Sequence, residues 1–353
     1  MQSFGFGNFD CENTIISHNA TIAGNKTDQE NDDIVEMLLK QESATINTTD
    51  EDGRTLLSWA VLHLRGDIIK MLLQREDVAP NTADEGGRTP LSWAAGNGHK
   101  DMLKLLLERR DVTPDTADKD GRTPLSWAAG KGRADIVKML LERKDVAPDT
   151  ATKAGRTPLW WAAGNGQEEI VQMLLEQKDV TPDTPDKDGR TPLLWAAGNG
   201  HRDVVQTLLE CGDVTPDAAD KDGRTPLSWA AGKGRVGIVK MLLERDDVVP
   251  DTTDKDGRTP LSWAKERGHI RVVEALLERC SVSQDIAITN LTGQIAQIAL
   301  TRTSEKQHGG AVKRRSGSHG SAPQSTGNSS SMDLFLAESP KSSQRSSKRI
   351  RRP

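Results

Sequence analysis

Gly121-Arg122-Thr123-Pro124-Leu125-Ser126-Trp127-Ala128-Ala129 decides how this chain folds, because the sequence writes that stretch seven times with few changes. Its glycine returns at Gly53, Gly87, Gly121, Gly155, Gly189, Gly223 and Gly257, a spacing of 34 residues without insertion. A fixed period of that length means one supersecondary unit stacked on copies of itself, not a single closed core. The units fill residues 51–288 of the 353. A length that would ordinarily imply two or three domains therefore implies one all-α solenoid of seven helix-turn-helix units.

Within a unit, Thr123 before Pro124 suits an N-cap hydroxyl followed by proline at the first helical position, where no amide hydrogen is needed. The first helix is predicted to run about two turns through Leu125, Trp127, Ala128 and Ala129, with Gly130 and Gly132 making the turn. A second helix follows, with Ile136, Val137, Leu140 and Leu141 on one stripe. Asp135 sits near its positive end and Arg143-Lys144 near its negative end, both favourable to the dipole. Val146 and Pro148 are predicted to stop it, and an extended connection or hairpin leads to the next Gly-Arg-Thr-Pro.

The array has ends. Asp33-Ile34-Val35-Glu36-Met37-Leu38-Leu39 repeats the second helix in register, so residues 31–50 are expected to form a half-repeat cap at the N-terminus. Residues 1–30 are polar and aperiodic and are expected to be disordered, with Phe4-Gly5-Phe6-Gly7-Asn8-Phe9 capable of β-pairing with other copies. The last unit changes to Ala264-Lys265-Glu266-Arg267-Gly268, adding charge that suits a terminal unit facing water. Residues 289–302, with Ile295, Ile298 and Leu300, carry enough apolar residues for one more helix closing the stack. Residues 303–353 are Ser-, Gly- and Lys/Arg-rich and are expected to be a disordered basic tail.

The net charge of −5 hides a division. Residues 301–353 hold eleven Lys or Arg against three acids, so the array is acidic and the tail basic. Tyr is absent and all four Phe lie outside the repeats, which leaves Trp as the array's aromatic. Cys11, Cys211 and Cys280 are odd in number and have no ligand spacing, so reduced thiols are expected. No apolar run reaches the roughly 18 residues of a membrane span, and the N-terminus lacks the order of a signal peptide. A cytoplasmic or nuclear, intracellular location is expected, with no membrane association.

A 34-residue helical period also fits tetratricopeptide repeats, which need Tyr and Phe at fixed offsets that this array does not hold. Thr-Pro-Leu-x-x-Ala-Ala, then Gly-His, then Ile-Val-x-x-Leu-Leu is the ankyrin order. Over residues 33–288 the chain resembles an ankyrin-repeat protein, most of all the long arrays of filamentous fungi. The resemblance implies a solenoid that binds proteins along a concave face. Three departures stand out. The usual His of the motif is Ser58, Ser92, Ser126, Ser228 or Ser262; a Leu has become Trp59, Trp93, Trp127, Trp161, Trp195, Trp229 and Trp263; and each unit has one extra residue after its second helix. The seven in-register Trp are expected to form a stacked ladder in the core, since a ligand-reading residue would not be identical in every unit.

Motifs for chemistry reduce to turns. Gly130-Lys131-Gly132 and Gly232-Lys233-Gly234 lack the Ser or Thr and the preceding strand of a phosphate loop. His99, His201 and His269 recur at one repeat position, too far apart for one metal. Asp118 and Asp120 recur at Asp186 and Asp188, Asp220 and Asp222, and Asp254 and Asp256, which is turn chemistry. No catalytic, cofactor or metal site is expected.

A binding surface should vary between units where the framework does not. The turn tips read Asp-Lys-Asp in four units, changing at Glu85-Gly86 and Lys153-Ala154, and so show little diversification. Variation gathers at the interhelical turn, including Lys131, Arg133, Gln167, His201 and Arg202, and at the Ser position, which holds Trp160 and Leu194 in the two central units. Two readings of Trp160 and Leu194 stay open: exposed anchors for a partner, or packing across the repeat interface. In the tail, Lys348, Arg349, Arg351 and Arg352, like Lys313-Arg314-Arg315, are clusters of the kind read for nuclear import. The function expected is a monomeric, non-enzymatic scaffold binding one or more proteins. The alternatives are a receptor or sensor array with residues 1–30 as a self-assembly segment, and nucleic-acid association through the tail, which the acidic array opposes.

Overall fold

The computed structural model describes residues 46–279. Among them the chain forms fourteen α-helices in seven consecutive pairs. The pairs are α1 (Leu56–Leu62) with α2 (Gly66–Leu73), α3 (Pro90–Asn97) with α4 (Lys100–Leu107), and α5 (Pro124–Gly130) with α6 (Ala134–Leu141). They continue as α7 (Pro158–Gly164) with α8 (Glu168–Leu175), α9 (Pro192–Asn199) with α10 (Arg202–Glu210), α11 (Pro226–Gly232) with α12 (Val236–Leu243), and α13 (Pro260–Glu266) with α14 (Ile270–Arg279). The first helix of each pair, here called A, packs on the A helices before and after it, and the second, B, likewise on B. The array is therefore two parallel rows in seven units.

The local chemistry follows the residues. Thr123 Oγ1 accepts the amide of Ser126 at 3.2 Å, and the Ser126 hydroxyl lies 3.2 Å from the same oxygen, so the N-cap is completed inside the unit. Leu125, Ala128 and Ala129 of α5 and Ile136, Val137 and Leu140 of α6 are buried, and their counterparts in the other pairs continue one core, apart from the part-buried Met102 and Leu261 and the exposed Lys265. Alanine on the A row lets neighbouring helices approach closely. Leucine on the B row fills what remains.

The connections are tight turns; among the described residues the only β-type pairing is the isolated bridge Thr49–Thr55. In place of a ladder, each turn gives one backbone N–H to the turn before it, as Lys119 to Gly86 O at 3.0 Å and Lys153 to Asp120 O at 2.8 Å. Gly121 sits at φ +83°, and a Cβ there would stand 2.8 Å from the Lys153 amide of the next turn. The turn spacing thus leaves no room for a side chain.

The B helices end earlier than the sequence predicts, α6 at Leu141 and not beside Val146. Arg143 is drawn away from the helix, its Nη1 donating to Leu107 O of the preceding unit at 3.2 Å while Asp145 takes Nε and Nη2. The open carbonyls at a helix C-terminus are thereby met by the next unit's arginine. Val146, buried, anchors the loop that follows. The predicted helix at residues 33–39, the segment 1–30, the closing helix in 289–302 and the tail 303–353 lie outside the described residues.

A second inter-unit ladder follows each B helix. Asn47 accepts the Ala79 amide at 2.8 Å with Oδ1 and donates from Nδ2 to Asp77 O at 2.7 Å. Asn81 repeats both bonds one unit later, to Thr113 and Asp111. From there the position is aspartate. Asp115, Asp149, Asp183 and Asp217 keep the first bond, accepting the amides of Ala147, Thr181, Thr215 and Val249. Their second oxygens stand where the amide nitrogen of Asn47 donates, and all four are buried without a partner. Burial holds the Asp115, Asp149 and Asp217 carboxyls above the usual carboxylate range against the amides they accept, and Asp145 and Asp247 add to the rise at Asp115 and Asp217.

A carboxyl whose pKa is higher folded than unfolded binds more protons in the folded state. Its stabilising contribution is complete below the unfolded value of about 3.9 and is lost as pH rises through the folded value. Replacing Asp115, Asp149 and Asp217 together by Asn is expected to stabilise the array at pH 8, by about 1 kcal/mol per site, and to do so less at pH 5. Thermal melts of variant and parent at both pH values check this, since acid effects on shared residues cancel. An unchanged or lower melting temperature at pH 8 would refute it.

Candidate protein-interaction surface

The A row carries a recurring group of three side chains built on one buried aspartate. Asp118, whose side chain is 1% exposed, sits in the turn before α5. Its Oδ1 accepts the amides of Asp120 and Arg122 at 2.9 Å each, and its Oδ2 accepts Arg122 Nε at 3.0 Å and Trp127 Nε1 at 3.1 Å. The guanidinium lies over the indole, 4.1 Å from the ring centroid. A second carboxylate, Asp120, closes on Arg122 Nη2 at 2.6 Å from the solvent side. One carboxylate therefore fixes an arginine and a tryptophan face to face.

The same carboxylate-to-indole bond recurs from Trp93 to Asp84, Trp229 to Asp220 and Trp263 to Asp254, at 2.9–3.0 Å. In every one of those units an arginine covers the ring. These tryptophans are half-buried. The expected ladder of Trp in the core is corrected accordingly: all seven in-register rings are half-buried, and in Trp93, Trp127, Trp229 and Trp263 the indole N–H reaches the turn aspartate. From Trp127 onward each ring rests on the last glycine of the A helix before it, as Trp127 on Gly96 and Trp161 on Gly130.

Trp160 and Leu194 are 2% and 0% exposed. Of the two readings the sequence leaves open, the structure gives packing, and in this conformation they offer a partner no surface. The substitution propagates. Trp160 donates Nε1 to Arg190 O at 3.2 Å and stacks on Trp195 at 5.1 Å. Trp195 puts its Cδ1–Nε1 edge against Gly164, where the other tryptophans present Cβ and Cε3. The indole row is therefore turned at the array's centre.

The interhelical-turn candidates divide. Lys131, Arg133 and Arg202 are exposed. His201 is half-buried and bonds Gly164 O at 3.0 Å, as His269 bonds Gly232 O at 3.1 Å; burial lowers the His201 pKa despite that bond. Gln167 packs over Gly132, and Arg133 over Gly98, each on the turn of the unit before. Part of the variation at this position is thus several side chains performing one inter-unit contact. The import cluster Lys348, Arg349, Arg351 and Arg352 lies outside the described residues.

Sequence reasoning passed over the turn before α7, which sets unit four apart. Thr152 and Ala154 replace both of the row's aspartates there, so Arg156 Nε and Trp161 Nε1 are buried without a partner. The signal was present in the exception at Lys153-Ala154, discounted because the other tips are uniform. The surface as a whole offers planar cations and indole faces for contact. Among the described residues no group of acids, histidines and cysteines is arranged to hold a metal, and no helix is long and apolar enough to cross a membrane.

A family model described as ankyrin repeats in three copies matches residues 65–150, 112–183, 144–218 and 213–290. No curated protein matches the chain. Among solved structures, the chain is similar to the ankyrin repeat domain of Bcl-3, described as a unique member of the IkappaB protein family. The TM-score is 0.54 and the identity 27%, over 64% of this chain and 99% of that one.

Two stability outcomes follow from this geometry. Trp127→Ala should cost about 2 kcal/mol, below the ~3–5 kcal/mol of a fully buried Trp, because half the ring already meets water. A chemical-denaturation loss at the upper figure would place the ring in the core. Gly130→Ala should be neutral or gain up to about 0.5–1 kcal/mol in helix propensity, its nearest neighbour standing 3.5 Å away. Gly164→Ala, whose new methyl would stand 2.6 Å from Trp195 Nε1 and closer still to Cδ1, should cost about 1–3 kcal/mol. Equal melting temperatures for the two variants would contradict the turned indole.

Proposed function

The chain belongs to the ankyrin-repeat family, and from that premise we propose that it is a non-enzymatic scaffold holding partner proteins along the side its A helices and turns present. Ankyrin repeats are in general protein-interaction modules. One observation carries the placement: the half-exposed tryptophans, each under an arginine, running along the A row through successive units. Trp and Arg are the residues most enriched where truncation weakens binding, and here the turn carboxylates hold them ready. A fixed side chain loses little entropy on contact, which the mobile Lys and Glu of the outer B row cannot match. A specific interface needs about 800 Å² per partner, so several consecutive units would share one.

Photo-crosslinking residues placed one at a time in the full chain map the face. Asn97, Lys131 and Asn165 are exposed four residues after Trp93, Trp127 and Trp161, on the same side of their helices, while Lys104, Lys138 and Gln172 are exposed on the B row. Discrete protein adducts in cells are expected from the first three sites and not the second three. Adducts confined to the B row would reverse the assignment.

A further inference from the structure

Every arginine of the A-row turns except one is paired to carboxylates within its own turn. Arg122 holds Asp118 and Asp120, Arg224 holds Asp220 and Asp222, and Arg258 holds Asp254 and Asp256, while Arg190 holds Asp186 and Asp188. Arg54 pairs with Asp50 and Asp52, and Arg88 faces Asp84 at 3.6 Å. At Arg156 both acids are replaced at once, by Thr152 and Ala154. The replacement is chemically selective. Thr152 Oγ1 still accepts the Arg156 amide at 3.1 Å, as Asp118 Oδ1 accepts that of Arg122, so the turn keeps its shape. The second oxygen, which in Asp118, Asp220 and Asp254 takes both arginine Nε and indole Nε1, has no counterpart, and both donors are buried without a hydrogen-bond partner.

Arg156 meets a carboxylate only across the unit boundary, Asp186 at 3.7 Å, and Arg190 already holds that group at 3.0 Å. Burial lowers the pKa of Arg156, and Arg190 acts in the same direction against the pull of Asp186 and Asp188. The Arg156 side chain remains 24% exposed, its guanidinium over the rings of Trp160 and Trp161, beside the exposed Lys153. The position that Asp120 fills in its own turn is open to solvent, for the Asp120 side chain is 72% exposed while it pairs with Arg122. At Ala154 that position is reachable from outside and holds no charge.

We propose that unit four is a docking point for an acidic side chain of a bound polypeptide, an Asp or Glu whose carboxylate pairs with Arg156 where Asp120 pairs with Arg122. Carboxylate is the favoured ligand because carboxylate fills this position in the turns before α5, α9, α11 and α13, where it meets the arginine Nη2 from the solvent side. The proposal rests on the protein-binding reading of the A row. It names the chemistry by which a partner would be registered at one unit of a repetitive array.

Indole N–H resonances of the full-length protein, with Trp161 assigned through Trp161→Phe, test this. Two capped pentapeptides, identical except for a central Glu or Gln, are titrated against the parent chain and against a variant carrying Thr152→Asp and Ala154→Asp. That variant gives the turn before α7 the two aspartates of the turn before α5, so it should fold and melt at least as high as the parent. The Glu peptide is expected to shift Trp161 saturably, and to bind about tenfold more weakly when Gln replaces Glu or when the two aspartates fill the site. Equal binding by the Gln peptide, by inorganic phosphate, or to the filled variant overturns the carboxylate site. Shifts at other indoles without Trp161 overturn unit four as the docking point while leaving the binding face intact. No shift at any indole overturns the docking point together with the peptide-binding face.

Discussion

A single buried carboxylate in the turns of five units, Asp84, Asp118, Asp186, Asp220 and Asp254, organises the A row, and most of what distinguishes this array depends on it. Asp118 takes two backbone amides, a guanidinium and an indole at once, using both lone-pair directions of both oxygens. That satisfaction is what makes its burial tolerable, since an ionised carboxylate without such partners would cost several kcal/mol. It also converts a flexible arginine and a bulky tryptophan into fixed parts of the surface. The turn that holds the aspartate in turn stacks on its neighbours through one amide each, so the position of every Arg–Trp pair is inherited from the pair before it.

The features legible in the sequence are those set by contacts within one unit. Thr123 and Pro124 announce an N-terminus because hydroxyl and imino ring act on residues within one turn of helix, and the stripe Ile136, Val137, Leu140 follows from the helical period alone. The features misjudged are set between units. Just past the end of α6, Arg143 donates to Leu107 O, 36 residues away in the preceding unit. The seven in-register tryptophans lie half-buried at the edge of the A row, where Trp127 finds a carboxylate nine positions back. Counting apolar residues could not show either contact, because each is made by a polar atom whose partner lies outside the local pattern.

Variation between repeats also carries two meanings that the sequence does not separate. His201, Gln167 and Arg133 differ in charge and shape, yet each lies across the preceding unit's turn. A site that needs only a long polar side chain accepts many, so diversity there reflects tolerance. Thr152 and Ala154 are smaller changes on paper, yet they remove two charges from a group whose other members stay in place. The informative substitution is the one that leaves its neighbours unsatisfied.

Unit four therefore concentrates several local defects: two orphaned donors, an arginine sharing another unit's carboxylate, and an added indole that turns Trp195 against Gly164. In a closed globular core such a cluster would weaken the whole domain. In a stack of near-identical units the loss is confined to that unit and its two interfaces, because stability is a sum of local and nearest-neighbour terms. The stacked rings of Trp160 and Trp195, 5.1 Å apart, return part of it as buried aromatic contact. Repetition thus lets one unit depart from the optimum for folding, and the departure leaves a positive, half-exposed group at the middle of an otherwise balanced row.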